Sequence, residues 1–434
     1  MPDGAAPADF FSSLRERAAA IAEACTRCGA CFQACPMTVP AGIADADATA
    51  TVGGIIDLIT GGEGDAVARR WASVCNGSGA CIPACPEGIN TRFMVQLARG
   101  FARRLDGEDK VRRAGRDAYT GMARAARVIS RLQLPPETAA ALTQTRPEPG
   151  TATPDVVFYT GCNVAKTPHI TLLMLDILDA VGIDYAVAGG TGNCCGVQQH
   201  KAGDFAAQGR MAFSAIENLA SHGAPTVLSW CPSCLIQFTE NTLPSYTAVH
   251  GTSPFAMAPV LPFLAERADA LRKLMVHPVR RRVAIHERPA VPQIMQAVRT
   301  LLGLVPGLEI VEVPVPRIGV MSIHVVGLPD YKRALLEQEF ATAKTLGADT
   351  LATVFHACHR EVCTLGDASF EVLNFLELIG ESMGLGHEDR YRRLKQLDDV
   401  DAIIAETAPL IAAHGLDLDT VRATLLAEFP SARR

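Results

Sequence analysis

Apolar positions recur along this chain with two different periods, and the change of period divides it. Phe10 to Ala24 has helical apolar spacing and runs directly into Cys25. Short helical stretches follow at Gly54 to Thr60 and Asp65 to Ser73. Asn90 to Leu134 is helical and basic, with eleven Lys and Arg against four acids. Pro135 to Pro154, rich in Pro, Thr and Glu, reads as a linker. Beyond it, short apolar runs at Asp155 to Tyr159 and Thr226 to Trp230 alternate with amphipathic stretches at Thr171 to Val181 and Phe205 to Leu219. That alternation predicts an α/β unit with a parallel sheet. Phe255 to Met275 reads as a helix broken early by proline, and a second α/β lobe begins at Arg281 to Ile285. From Ala368 the pattern is helical, with Phe370, Leu373, Phe375, Leu376 and Ile379 on one apolar stripe.

Cysteines mark the places where chemistry is expected. Cys25, Cys28, Cys31 and Cys35-Pro36 form C-x2-C-x2-C-x3-C-P, the bacterial ferredoxin run. In that run three thiolates take three corners of one cluster, and the fourth cysteine turns away to a second cluster. A partner run follows as Cys75, Ser78, Cys81 and Cys85-Pro86, with serine in place of the second cysteine. Crossing the fourth ligands assigns Cys25, Cys28, Cys31 and Cys85 to one 4Fe-4S cluster and Cys75, Cys81 and Cys35 to the other. Ser78 at the missing corner leaves three outcomes for the second site: a 3Fe-4S cluster, a serine-ligated 4Fe-4S cluster, or a non-protein ligand on the fourth iron. Succinate dehydrogenase iron-sulfur subunits lose the same cysteine, and that resemblance favours 3Fe-4S. The helical spacer between the runs points to an α-helical dicluster ferredoxin domain.

Five further cysteines, Cys162, Cys194, Cys195, Cys231 and Cys234, stand where predicted strands end, so they would converge at one edge of a sheet. The pair Cys194-Cys195 lies between glycines in Gly192-Asn-Cys-Cys-Gly196. Read as residues alone, the five fit buried free thiols, a zinc site of four of them, or an iron-sulfur site. The pattern resembles the cysteine-rich CCG domain of heterodisulfide reductase and of the iron-sulfur subunits of glycolate oxidase, anaerobic glycerol-3-phosphate dehydrogenase and lactate-utilisation complexes. That resemblance implies a non-cubane 4Fe-4S cluster on Cys162, Cys194, Cys195, Cys231 and Cys234.

An internal repeat follows. Gly223 to Cys234 aligns without gaps on Gly347 to Cys358, placing Phe355 at Cys231 and Cys358 at Cys234. Upstream, Ile285 to Pro289 takes the place of the first cysteine and Gly319 to Ile323 that of the pair, so the second lobe cannot build the same cluster. His286, Glu287, His356, Cys358, His359 and Cys363 remain there, to bind zinc, touch a substrate or serve as pseudo-symmetric scaffolding. The expected organisation is therefore α/β. A ferredoxin domain (1–134), a linker (135–154), a CCG domain (155–276), a degenerate CCG-like lobe (277–367) and C-terminal capping helices (368–434) succeed one another.

Composition narrows the class. A chain of 434 residues accommodates about three domains. A net charge of -6 supplies no overall basic field for nucleic acid. Of 14 cysteines, twelve fall into metal-ligand spacings, which indicates a reducing compartment, the cytoplasm. The acidic Met1 to Asp9 lacks the apolar core of a secretory signal, and no segment qualifies as a spanning helix. The basic helices read either as a docking face for an acidic partner or anionic lipid on the inner membrane face, or as a solvated surface. No G-x-G-x-x-G follows a predicted strand, so chemistry on an organic donor is assigned to another subunit. The fused order resembles that of the heterodisulfide reductase catalytic subunit and the glycolate oxidase iron-sulfur subunit, and that resemblance implies an oxidoreductase subunit relaying electrons between a flavoprotein dehydrogenase and a quinone-side or other redox partner. The alternative is a heterodisulfide reductase-like catalytic subunit acting on a disulfide or sulfur substrate.

Overall fold

The structure, a computed structural model, describes residues 9–430. All but Asp9 of the acidic N-terminal stretch lies outside the described residues. Two parallel four-stranded sheets carry the C-terminal part of the chain. The first contains β1 (Val156–Gly161), β2 (Tyr185–Gly189), β3 (Thr226–Ser229) and β4 (Ala256–Pro259) in the order β2-β1-β3-β4. The second contains β5 (Arg282–His286), β6 (Glu309–Val311), β7 (Thr350–Thr353) and β8 (Glu371–Asn374) in the order β6-β5-β7-β8. The two orders are the same, each strand joined to the next by a crossover that includes helix, as parallel pairing requires.

Two strands correct the expectations. Ala256–Pro259, read as the start of a helix, pairs in parallel with β3, and Pro259 closes it at the sheet edge. Glu371–Asn374 pairs with β7, so Phe370 and Leu373 leave the helical stripe that was expected to hold them with Phe375, Leu376 and Ile379. The helix there begins only at Phe375, after Asn374 and Glu377 form a capping box.

Ahead of the sheets, helices start where acids or amides cap them. Asp9 accepts from Ser12 N at 2.7 Å ahead of Phe10–Ala24, and Asp47, Asp65 and Asn90 do the same for Ala48–Ile59, Ala66–Val74 and Thr91–Arg104. Their apolar faces close around Phe32 and Trp71, whose rings meet edge to face at 5.1 Å. Phe205 of the first lobe is buried in this same cluster, so the helical segment and the lobe share a core. Both sheets likewise bury one continuous core. The C-terminal helices pack Tyr391, Val400 and Leu425 against Val128 and Ile129 of the long helix Glu108–Arg131.

The Pro-rich stretch 135–154 lies along the first lobe. Gln144 O accepts from Gly189 N at 2.9 Å, Thr145 O from Asn193 Nδ2 at 3.2 Å, and Arg146 donates to Asn218 at 2.6 Å. Among the described residues no helix is long and apolar enough to cross a membrane.

Candidate functional site

The first lobe aims its cysteines at one point. Cys162 follows the carboxyl end of β1, the pair Cys194-Cys195 follows β2, and Cys231 follows β3 with Cys234 one helical turn further on. Parallel strands bring those ends to a single edge. There the sulfurs form a chain of contacts: Cys162 and Cys195 meet Cys194, and Cys234 meets Cys195 and Cys231. Thiol donors hold the Cys194 and Cys231 thiols below their ordinary range, while those same bonds and burial push Cys162, Cys195 and Cys234 well above it.

Backbone shape serves the same gathering. Gly161 has φ 77°, and a Cβ on it would lie 3.4 Å from Cys234 Sγ, so the chain passes the sulfurs without a side chain between. Gly196, at φ 76°, turns the chain away after the pair. Tyr159, fully buried, donates to Asn193 O at 2.6 Å with its hydroxyl 3.9 Å from Cys234 Sγ.

The helical segment gathers its cysteines in two groups. Cys31 lies among Cys25, Cys28, Cys81 and Cys85, and burial with those neighbours pushes its thiol up to about 12. Cys35 neighbours Cys75, Cys81 lies between the two groups beside Cys31, Cys35 and Cys75, and burial pushes the Cys81 thiol up to about 11. Ser78 lines the small cavity that Cys35, Cys75 and Cys81 share, with Trp71 in its wall. Trp71 hydrogen-bonds the Cys35 sulfur, and Arg99 donates to Ala72 O at 2.8 Å and to Cys75 O. None of the 14 cysteines is in a disulfide. Crowded thiols that repel one another once ionised, around small-residue backbone and beside cationic side chains, suit a positively charged metal core.

Lys201 links the groups. It lies near Cys195 and Cys231 on one side and Cys75 on the other, and burial together with Arg99 pushes its ammonium down to about 8. Around it is a cleft of about 280 Å³ lined by Cys75, Arg99, Arg103, Lys201, Ser233 and His324, among others. The cleft is basic. It opens between the second helical group and the residue next to Cys234.

The second lobe departs from this plan at register level. Val156 and Val283 pair with the equivalent residues Thr226 and Thr350, so His286 stands at Tyr159 and Pro289 at Cys162. His286 is held between Glu339, 2.7 Å from Nδ1, and Arg288. Phe355 and Cys358 are buried after β7, and Cys363 lies in the core of the C-terminal helices. His359 meets Asp389 at 2.7 Å, and His169, Glu377 and Asp389 join it in a group that sequence reasoning did not single out. No local spacing signals a group drawn from four separate elements.

On the basic helices, Arg92 and Arg99 turn inward instead of joining an exposed face. Arg92 pairs with Glu240 and donates to Gly77 O at 3.2 Å and Ala290 O at 2.9 Å. Arg103, Lys110, Arg112, Arg113, Arg116, Arg124 and Arg127 remain exposed.

A family model of the CCG cysteine-rich domain matches residues 156–239, which contain all five cysteines of the first-lobe group. That match fits a heterodisulfide reductase-like family and an iron-sulfur redox protein. No curated protein matches the chain.

Proposed function

We propose that this chain is the iron-sulfur subunit of an oxidoreductase, relaying electrons between a flavoprotein dehydrogenase and a quinone-side or other redox partner. Cys25, Cys28, Cys31 and Cys85 would hold one 4Fe-4S cluster, Cys35, Cys75 and Cys81 a 3Fe-4S cluster, and Cys162, Cys194, Cys195, Cys231 and Cys234 a non-cubane 4Fe-4S cluster. Such clusters supply one-electron transfer at potentials tuned by charge, burial and hydrogen bonds to sulfur. The observation that carries the reading is Lys201, which neighbours Cys75 of one group and Cys195 and Cys231 of another. Three cysteine groups in series, the middle one sharing neighbours with each end, describe a conducting order.

The protein's own side chains do the tuning. Trp71, Arg99 and Lys201 place a donor or a positive charge beside sulfur, which favours the more reduced, more negative state. Burial in apolar helices opposes it.

A second reading rests on the cleft. Arg99, Arg103 and Lys201 around a cavity of about 280 Å³ beside Ser233 suit an anionic substrate, and a disulfide there would take two electrons and two protons to give two thiols. Lys201, near its pKa at neutral pH, is placed to hold one of those protons.

The test is iron and acid-labile sulfide on anaerobically purified protein, with EPR of oxidised and reduced samples. About eleven irons per chain, a three-iron signal when oxidised and a distinct signal from the CCG site support the relay. About seven irons with zinc on the CCG cysteines would sink it. Rapid reduction of a disulfide by the dithionite-reduced chain, with no other protein present, would favour the second reading.

A further inference from the structure

Four side chains capable of binding a metal meet where the two lobes touch, and none of them is a cysteine. His169 comes from the helix Pro168–Val181 of the first lobe, His359 from His356–Val362, Glu377 from Phe375–Met383 and Asp389 from the cap of Arg390–Leu397. One donor atom from each lies within 4.8 Å of the others, and all but the half-buried Glu377 are buried.

The two histidines are arranged as ligands are. The Thr353 hydroxyl donates to Leu373 O at 3.0 Å, so its oxygen can only accept from His359 Nδ1, also at 3.0 Å. The neutral ring then carries its proton on Nδ1 and presents the Nε2 lone pair to Asp389 Oδ2 at 2.7 Å. A lone pair facing a carboxylate oxygen calls for a positive centre beside the two, in reach of both. This is the orienting second hydrogen bond characteristic of a metal-bound imidazole.

His169 gives an independent sign. It is 1% exposed, and neither ring nitrogen has a hydrogen-bond partner. Asp389 Oδ1 stands 3.4 Å from Nδ1 and Glu377 Oε2 3.9 Å from Nε2. A proton on His359 would satisfy one contact and leave His169 stranded. Arg392 comes no closer than 3.8 Å to Asp389 Oδ2 and is shared with Glu371 at 3.4 Å. Two neutral imidazoles and two carboxylates around a divalent ion sum to zero charge and give one ring nitrogen of His169 a partner. The carboxylates are themselves oriented, Glu377 Oε2 by Asn374 N at 2.6 Å and Asp389 Oδ1 by Arg392 N at 3.0 Å.

We propose that His169, His359, Glu377 and Asp389 bind one zinc ion in a four-coordinate site that fastens the two lobes together. Four protein ligands in a buried site make it structural, since a catalytic zinc keeps a position open. Borderline nitrogen and oxygen donors in this ratio select zinc over calcium or magnesium. The inference goes beyond the electron-transfer reading and does not depend on it.

The test is metal analysis of the full-length chain from zinc-supplemented culture, with zinc-edge X-ray absorption on the same sample. About one zinc per chain in a nitrogen and oxygen shell with imidazole scattering is expected. His169→Ala and His359→Ala should each lower bound zinc roughly tenfold while iron and sulfide stay at the wild-type level. Zinc below about a tenth of an equivalent, a sulfur shell placing the zinc on the cysteines, or unchanged zinc in both variants overturns the proposal. Should the variants fail to fold, chelator-treated wild type decides. Its melting temperature must rise with stoichiometric zinc and not with magnesium, and no rise overturns the proposal.

Discussion

In the first lobe the carboxyl ends of β1 and β3 lead into Cys162 and Cys231, whereas at the same register in the second lobe β5 and β7 lead into Pro289 and Phe355. Strand order and direction are unchanged between them. The fold therefore rests on its apolar layers, and the sheet edge is free to hold either a thiol set or ordinary core. Where the cysteines are missing, the space is filled. Phe355 is 2% exposed, and His286 sits between a carboxylate and a guanidinium with the Cys358 thiol as a further partner.

The strongest way to break the comparison is to treat equivalent cysteines alike. Cys234→Ser should remove about four irons per chain, and Cys358→Ser should remove none. Equal losses from both would show that the second lobe carries metal after all. Next comes stability. Phe355→Ala should cost about 3–5 kcal/mol in denaturant unfolding, because a buried ring leaves a cavity that packed neighbours cannot close. A change below about 1 kcal/mol would mean that Phe355 merely plugs a tolerant gap.

Ser78→Cys sharpens the same question inside the helical segment, where a serine stands at one corner of a cysteine site. The variant should lose the oxidised-state EPR signal near g of about 2 that a three-iron centre gives. Wild type lacking that signal would remove the three-iron assignment. The smallest effect concerns Lys201, whose charge disappears as pH rises through about 8. Losing a positive charge beside Cys75 disfavours the reduced state, so the midpoint potential of the neighbouring centre should fall by roughly 40 mV, or about 1 kcal/mol, across that range. Lys201→Met should abolish the step, and a step that survives in the variant belongs to another group.

Much of the candidate site could be read from spacing, because a ferredoxin run states its own crossing rule. Cys35 neighbours Cys75, as that rule has it, whereas Cys31 neighbours Cys81 of the other run's set as well as Cys25, Cys28 and Cys85. The five first-lobe cysteines were legible as strand-end positions for the same reason. What escaped was short or scattered. β4 and β8 were masked by their surroundings, since the prolines around Pro259 and the run Phe370 to Ile379 imitate helical signals. The His169, His359, Glu377 and Asp389 group draws on both lobes, and only the packing of Pro168–Val181 against Phe375–Met383 brings it together. Arg92 and Arg99 looked like members of a charged surface because periodicity records polarity but not what a long side chain reaches back to touch.

Arg92 also bears on how the protein matures. Its guanidinium reaches Glu240 and Ala290, 148 and 198 residues further along the chain, and it closes over Gly77, the neighbour of Ser78. Contacts of such sequence separation carry a larger loop-closure cost than the local helices and are expected to follow them. Iron delivered during biosynthesis would thus meet the Cys35, Cys75 and Cys81 group while it is still open on the side that the finished lobes later cover.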